Sequence, residues 1–190
     1  ALAKLEAAGL PVPPTWVGES ARDAMEAFQA LGGDVVLKPL FGAEGRGLVR
    51  LADPELALRA FRAMERISSV LYVQQHIPND GHDLRAFVLH GRVLGAIRRT
   101  APQGQWRTNV SLGGRAEAIR LDPDTERLAL RAAEAVGAQM AGVDLIADSR
   151  SGLLFVLEVN AVPGWRALSS ATGIDVASAI LESFIRTEGS

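Results

Sequence analysis

Ala141-Gly142-Val143-Asp144-Leu145 and Leu157-Glu158-Val159-Asn160 are the two stretches that decide the fold of this 190-residue chain. Each is typical of a buried strand, and the turn Ser149-Arg150-Ser151-Gly152 between them predicts a hairpin. In the second stretch the glutamate and the asparagine are two residues apart, so both side chains point to the same face of the strand. The aspartate of the first stretch lies on the partner strand of the same hairpin.

These three polar side chains form a candidate metal site. Asp144, Glu158 and Asn160 supply two carboxylates and an amide oxygen, the hard donors that suit Mg²⁺ or Mn²⁺. Because the flanking residues are apolar, we expect both carboxylates to be partly buried and to need a cation as partner. The alternative from the residues alone is a hydrated polar face of an edge hairpin.

The composition excludes several classes of function. Apolar residues make up 48% of the chain, charged residues 22%, and the net charge is −2. A basic excess for nucleic acid is absent from the sequence, as is an apolar run of the roughly 20 residues that span a bilayer. The sequence contains no cysteine, which excludes disulfides and thiolate chemistry and fits a cytoplasmic setting.

The rest of the chain predicts an α+β protein with antiparallel strand pairs. Helix N-caps are expected at four residues, each followed by a helical pattern: Ser20, Asp53, Asp122 and Asp175. Strands are expected over 35–38, 48–51, 70–77, 84–89, 92–99, 143–147 and 153–159. We expect two lobes, residues 1–75 and 76–190, and the first helix could pack on either of them.

A glycine-rich loop follows the predicted strand that ends at Lys38. Gly42, Gly45 and Gly47 allow the backbone to approach a ligand closely and to point N–H groups at phosphate oxygens. The loop lacks the Gly-Lys-Ser/Thr ending of a Walker A motif and leads into a strand, unlike a Rossmann turn. A plain hairpin turn remains the alternative.

Two further polar groups lie near the middle of the chain. Arg107 and Asn109 belong to a long loop, and arginine is suited to bidentate contacts with phosphate or carboxylate oxygens. Asp83 could accept hydrogen bonds from ribose hydroxyls, although Asp83 and Arg85 share a strand face and could form an internal salt bridge. Arg98 and Arg99 by themselves are more typical of a solvated face.

Taken in order, these segments resemble the ATP-grasp superfamily, most closely its RimK-like branch of amino-acid ligases. The most specific resemblance lies in the two stretches quoted first, with Val36-Leu37-Lys38-Pro39, Asp83-Leu84-Arg85 and Trp106-Arg107-Thr108-Asn109 in support, and it covers nearly the whole chain. The tail, with Pro163-Gly164-Trp165 and Thr172-Gly173-Ile174, is similar to a subgroup linked to tetrahydromethanopterin-dependent one-carbon metabolism.

The resemblance implies an ATP-grasp fold of two α+β lobes with nucleotide between them, and a pre-ATP-grasp domain that we expect to be absent from this chain. It also implies a role for each candidate residue. Phosphate contacts are implied for Lys38, Gly42, Gly45 and Gly47, and adenine contacts for Gln74, Gln75, His76 and Ile77. Asp83 is implied to hold ribose. Arg107 and Asn109 are implied to meet the transferred phosphoryl group and the acceptor carboxylate. Mg²⁺ is implied at Asp144, Glu158 and Asn160.

The function that the resemblance implies is ATP-dependent ligation of a carboxylate to an amine through an acyl phosphate. The expected partners are ATP, a small-molecule or peptide carboxylate acceptor and an amino-acid donor such as glutamate, without nucleic acid or membrane, and the oligomeric state is left open. Three alternatives remain: an ATP-binding module with a regulatory or assembly role, a kinase-type phosphotransferase, and a metal-binding scaffold without nucleotide.

Overall fold

The computed structural model describes residues 1–39 and 47–187, which divide into two compact units. One unit is Pro13–Ile77, and the other combines Ala1–Val12 with the chain from Pro78 onward. The described helices are α1 Leu2–Ala7, α2 Ala21–Ala30, α3 Pro54–Arg66, α4 Pro123–Val136, α5 Arg166–Thr172 and α6 Val176–Thr187. The described strands are β1 Thr15–Gly18, β2 Val35–Lys38, β3 Val49–Leu51, β4 Leu71–Gln75, β5 His82–Leu89, β6 Arg92–Thr100, β7 Arg115–Ile119, β8 Met140–Ala147 and β9 Leu154–Asn160. The α+β class is confirmed.

The Pro13–Ile77 unit is built on a four-stranded sheet with the order β1-β4-β2-β3, and every neighbouring pair is antiparallel. Helices α2 and α3 bury Phe28 and Phe61 against strand residues such as Val35 and Leu71. Both helices begin at the predicted caps. Ser20 accepts a hydrogen bond from the Asp23 backbone N–H, and Asp53 accepts one from Leu56.

The other unit is built on a five-stranded antiparallel sheet with the order β7-β6-β5-β8-β9. One face of this sheet packs on α1 and α4 through alternating residues, namely Ala86, Val88, Val143 and Leu145. The opposite face packs on α5 and α6 through Phe87, Leu89 and Ile97. The same face also carries the polar side chains of the candidate site, among them Arg85, Arg99 and Asp144.

Two elements of this unit were not indicated by the sequence pattern. Strand β7 alternates polar residues with alanine, so its apolar side is weak, and it lies at the sheet edge. Helix α5 has only seven residues, the two serines and one threonine among them have modest helix propensity, and its N-cap residue Trp165 makes no side-chain capping bond. The long loop predicted to carry Arg107 and Asn109 contains a short 3₁₀ helix, Val110–Leu112.

Strand β4 ends at Gln75, two residues earlier than predicted. Helices α4 and α6 begin after the predicted caps: Asp122 accepts hydrogen bonds from Asp124 and Thr125, and Asp175 accepts one from Ser178. None of the helices within residues 1–39 and 47–187 has the length and apolar character needed to cross a membrane.

Candidate nucleotide and metal site

Strand pairing sets the three predicted metal ligands side by side. Asp144 lies directly opposite Glu158 across the β8–β9 pair, and Asn160 lies opposite Gly142. Residues opposite each other in an antiparallel pair have Cβ atoms about 5 Å apart and share a sheet face. The structure therefore brings Asp144, Glu158 and Asn160 to one face, as the spacing predicted.

Asp144 is buried, with 6% of its surface exposed, and it is held by two arginines. Arg85 lies opposite on β5 and donates from Nε to Oδ1 at 2.6 Å and from Nη2 to Oδ2 at 2.7 Å. Arg99 on β6 reaches the same Oδ2 atom from Nη2 at 3.0 Å. Both carboxylate oxygens of Asp144 thus contact a guanidinium group.

The pKa shifts in this cluster follow from burial opposed by charge. Burial raises the pKa of the Asp144 carboxyl, but the charge of Arg99 and the hydrogen bonds from Arg85 outweigh it, and the net pKa lies below the ordinary 3.8. Burial lowers the pKa of Arg99, whereas Asp144 and Asp83 raise it, and the net pKa lies above its ordinary value. Asp144 is therefore a carboxylate and Arg99 a guanidinium cation at neutral pH.

Glu158 differs from Asp144 in its surroundings, because Glu158 is exposed. The expectation that both carboxylates are partly buried is wrong for Glu158 and right for Asp144. The cation partners that the described residues provide for Asp144 are Arg85 and Arg99. The sheet places two positive side chains on the same face, and sequence spacing alone does not reveal them.

Asn160 occupies the last position of β9, and its Oδ1 accepts a hydrogen bond from the Val162 backbone N–H at 2.9 Å. An amide oxygen has two lone pairs, so one remains for a metal. Gly142 lies opposite, and a Cβ at this position would come within 2.8 Å of the Pro163 Cβ. The absence of a side chain at 142 therefore lets the turn after Asn160 lie against the sheet.

The donor set fits a hard divalent cation. It consists of one ionised buried carboxylate, one exposed carboxylate and one amide oxygen on a shared face. Across residues 1–39 and 47–187, no group of three or more His, Cys, Asp or Glu side chains is arranged to hold a metal. The predicted set contains only two such side chains, and its third ligand is an amide.

Asp83 and Arg85 do not pair with each other, although they share a face of β5. Asp83 instead lies opposite Arg99 on β6, which donates from Nε to Oδ1 at 2.7 Å and from Nη2 to Oδ2 at 2.6 Å. Thr108 adds a hydrogen bond from its hydroxyl to the same Oδ2 at 2.6 Å. The suggested salt bridge within one strand is replaced by two salt bridges across strands, because opposite residues lie closer than residues two apart.

Arg107 and Asn109 flank Thr108 in the segment before the 3₁₀ helix. The Arg107 guanidinium lies 5.9 Å from the centre of the Trp106 ring, a cation–π distance. The Asn109 carbonyl accepts a hydrogen bond from the Gly114 N–H at 3.2 Å. Both residues are half-buried, and their roles toward phosphate and acceptor stay predictions.

The predicted nucleotide contacts at Lys38, Gly47 and Gln74–Ile77 belong to the Pro13–Ile77 unit. The Lys38 Nζ lies 5.9 Å from the centre of the Tyr72 ring. Gly47 has a φ of 77°, the left-handed region that favours glycine. The predicted loop residues Gly42 and Gly45 lie outside the described residues.

The expected adenine segment is held by its own unit. Buried Gln74 donates from Nε2 to the Thr15 hydroxyl at 2.9 Å, and Gln75 donates from Nε2 to the Leu31 carbonyl at 3.3 Å. The backbone N–H groups of Gln75 and His76 bond to the carbonyls of Pro14 and Asp34. Ile77 is buried. These contacts fix the segment and leave its adenine role a prediction.

Two site residues escaped sequence reasoning. The sequence pattern favours a solvated face for Arg99, but Arg99 is 3% exposed, whereas its neighbour Arg98 is exposed. The sequence pattern marks Thr108 only as part of the segment Trp106-Arg107-Thr108-Asn109. The signal that could have found Arg99 is its position two residues after the buried Ile97, which places both on one face of β6.

A family model described as the RimK-like ATP-grasp domain matches residues 2–184 of the chain. The described sheets, the paired hairpin of β8 and β9 and the family match agree, and the chain belongs to the RimK-like ATP-grasp family. The expected family and the ATP-grasp fold are thereby confirmed.

Curated relatives carry ligase names. The chain is 39% identical over 183 residues to a probable alpha-L-glutamate ligase of Parasynechococcus marenigrum strain WH8102, covering 95% of this chain and 39% of the relative. It is 34% identical over 204 residues to the tetrahydromethanopterin:alpha-L-glutamate ligase of Methanosarcina acetivorans, covering 94% of this chain and 63% of the relative. The chain therefore spans between about two fifths and two thirds of these relatives.

Solved structures give the same fold. The ATP-grasp ligase PsnB, complexed with a phosphomimetic precursor variant, Mg and ADP, is 27% identical, with a TM-score of 0.76 over 97% of this chain and 56% of that one. A RimK domain ATP-grasp protein from Sphaerobacter thermophilus DSM 20745 is 28% identical, with a TM-score of 0.74 over 96% of this chain and 64% of that one.

Proposed function

We propose that this chain is the ATP-binding and catalytic part of a carboxylate–amine ligase that forms an amide through an acyl phosphate. The observation that carries the proposal is the in-register pairing of Asp144 with Glu158, with Asn160 on the same face, in a chain of the RimK-like ATP-grasp family. Two relatives are named glutamate ligases, which supports glutamate as the amino-acid donor.

Mg²⁺, or Mn²⁺ in its place, is the proposed cofactor at Asp144, Glu158 and Asn160. When bound with ATP, such a cation neutralises phosphate charge and orients the phosphates. The chain's own contribution is to keep Asp144 ionised in a buried position, through Arg85 and Arg99. Glu158 is exposed, so it is accessible to a hydrated ion.

The nucleotide contacts are proposed from the same family pattern. Lys38 supplies a positive charge at the end of β2, and Gly47, with the predicted Gly42 and Gly45, supplies backbone that can approach phosphate. The backbone N–H groups of Gln75 and His76 are already bonded within their unit. Adenine contacts at 74–77 are therefore proposed for other groups of this segment.

The proposed reaction has two steps. A carboxylate oxygen of the acceptor attacks the γ-phosphorus of ATP, and the bond to the β–γ bridging oxygen breaks to release ADP. The amino group of the donor then attacks the acyl carbon, phosphate leaves with the former C–O electron pair, and the departing phosphate takes up the proton that the amine loses. Arg107 is proposed to hold the phosphoryl oxygens and Asn109 the acceptor carboxylate, so that catalysis depends on positioning and charge. The reaction needs ATP and fits the cytoplasmic setting expected from the sequence.

Binding of nucleotide with metal tests the site directly. We expect ATP with Mg²⁺ to raise the melting temperature by about 5 °C or more at ligand concentrations far above Kd. Glu158→Ala should remove most of this shift. Glu117→Ala is the matched control, because Glu117 is an exposed glutamate on β7 of the same sheet and should leave the shift intact. An equal shift in Glu158→Ala and wild type contradicts the metal assignment, and a melting temperature insensitive to nucleotide contradicts ATP binding.

A further inference from the structure

The segment that carries Arg107 and Asn109 is tied to the sheet by one buried threonine. Thr108 is 7% exposed, and its hydroxyl donates to Asp83 Oδ2 at 2.6 Å. Asp83 is itself 5% exposed and is fixed by two hydrogen bonds from Arg99. Hydrogen bonds to an ionised acceptor are about twice as strong as neutral ones. The bond from Thr108 is therefore a strong attachment for an otherwise irregular segment.

Arg99 extends the attachment to the predicted metal ligand. Its Nη2 atom lies 2.6 Å from Asp83 Oδ2 and 3.0 Å from Asp144 Oδ2. Asp83 and Asp144 hold the pKa of Arg99 above its ordinary value despite burial, so the guanidinium stays charged. A continuous chain of hydrogen bonds, completed by the ion pair between Arg99 and Asp144, thus runs from the Thr108 hydroxyl to the Asp144 carboxylate.

Gly114 lies close to the backbone of the same segment on its other side. A Cβ at Gly114 would lie 2.4 Å from the Thr108 carbonyl oxygen, and the Gly114 N–H bonds to the Asn109 carbonyl at 3.2 Å. The backbone at Thr108 is therefore confined between the strand that begins at Arg115 and the Asp83 carboxylate. Confinement of the middle residue restricts where the neighbouring Arg107 and Asn109 can lie.

We propose that Asp83, Arg99 and Thr108 form a buried anchor, and that Thr108 is a positioning residue that sets Arg107 and Asn109 relative to Asp144. In this assignment Asp83 acts through its internal hydrogen bonds, in contrast to the ribose contact that the family resemblance implies. The catalytic consequence rests on the proposed ligase function. The structural consequence, that the Thr108 hydroxyl holds the segment in place, does not depend on that function.

Thr108→Val tests the anchor, because valine has the same shape and lacks the hydroxyl. Thr108→Ser retains the hydroxyl. Thr100→Val makes the same chemical change at an exposed site on β6 and controls for the loss of any threonine hydroxyl. The first measurement is the rate of tryptic cleavage after Arg107 in the folded protein. Each rate is divided by the rate for a synthetic peptide of the same local sequence, which removes the effect of the residue after the cleaved bond.

We expect Thr108→Val to accelerate this cleavage about tenfold or more, as expected for loss of a hydrogen bond to a charged group. Thr108→Ser and Thr100→Val should stay within about twofold of wild type. Equal cleavage in Thr108→Val and Thr108→Ser overturns the anchor. Circular dichroism and the melting temperature show that each variant is folded, and Asp83→Asn provides a second way to weaken the same bond.

The second measurement separates the anchor from the ligase proposal. ADP release that depends on added carboxylate, supplied as a small-molecule extract of the source cells, should fall at least about tenfold in kcat in Thr108→Val, with KM for ATP little changed, and should recover in Thr108→Ser. Faster cleavage without any carboxylate-dependent ADP release in wild type leaves the anchor standing and rejects the ligase function. Faster cleavage with unchanged kcat rejects the positioning role.

Discussion

A bidentate arginine–aspartate pair in one unit has nearly the same geometry as one in the other unit, but the two pairs differ in burial. In the Pro13–Ile77 unit, Arg50 donates to Asp34 at 2.8 and 2.6 Å, and the two side chains are 39% and 33% exposed. In the other unit, Arg99 donates to Asp83 at 2.7 and 2.6 Å, with 4% and 6% exposed. Hydrogen-bond length alone therefore does not distinguish a surface pair from a pair on which the site depends.

The two pairs differ in how much free energy of unfolding is lost when one partner is removed. The surface pair is hydrated and screened, so it contributes between nothing and about 1 kcal/mol. The buried pair has lost its hydration, and removal of one partner leaves a charge without compensation in the interior. Arg99 also serves two carboxylates, so its loss leaves Asp83 without its cation partner and leaves Asp144 with Arg85 alone.

Replacement of Arg99 should give the largest effect. We expect Arg99→Met to lower the free energy of unfolding by about 3–5 kcal/mol, because two buried carboxylates lose their shared cation. Arg98→Met is the matched control at the exposed neighbouring position and should change it by less than about 0.5 kcal/mol. Urea unfolding measures both. Equal losses in the two variants contradict the interpretation of Arg99 as the buried partner.

The pairing of Arg99 with Asp83 could not be predicted from the sequence. Counted outward from the turn at which Leu89 faces Arg92, Asp83 would face Arg98. The register shifts between Phe87 and Val88, and because of this shift Asp83 lies opposite Arg99 instead. A β-bulge adds one residue to one strand and exchanges the two faces beyond it, and its position depends on packing that the local sequence does not encode.

Other features could be predicted from the sequence because interactions between residues close in the chain determine them. The caps at Ser20, Asp53, Asp122 and Asp175 and the hairpin that pairs Asp144 with Glu158 follow from short-range rules. The ion-pair partners of Asp144 could not be predicted from the sequence, because Arg85 and Arg99 belong to strands that are distant from it in the chain. The same applies to Thr108, whose role depends on a contact 25 residues away in the chain.

The two units can also be compared by the pH dependence of their aspartates' contributions to stability, where we expect a smaller effect. The pKa of Asp144 is lowered, as is that of Asp34, where the hydrogen bond from Arg50 is the main cause. A lowered pKa in the folded state gives stability that is present above the unfolded-state value, about 3.8, and is lost as the pH falls through the folded-state pKa. Wild type should therefore lose stability below about pH 4.

We expect Asp144→Asn to cost about 2 kcal/mol or more at pH 6, and the difference from wild type to narrow as the pH falls toward 3. Asp34→Asn should show the same sign with a cost below about 1 kcal/mol, because its pair is exposed. Chemical unfolding between pH 6 and pH 3 measures both differences. A larger effect for Asp34→Asn than for Asp144→Asn would reverse the order that burial predicts.

Trapping of the activated acceptor tests the central claim most directly. The protein is incubated with ATP, Mg²⁺, the small-molecule extract of its source cells and hydroxylamine, which converts an acyl phosphate into a hydroxamate that mass spectrometry detects. We expect a hydroxamate that forms in step with ADP, that is lost in Glu158→Gln and that is retained in Glu117→Gln. ADP formation with a stable phosphorylated product and no hydroxamate would contradict ligation and indicate a kinase-type transfer.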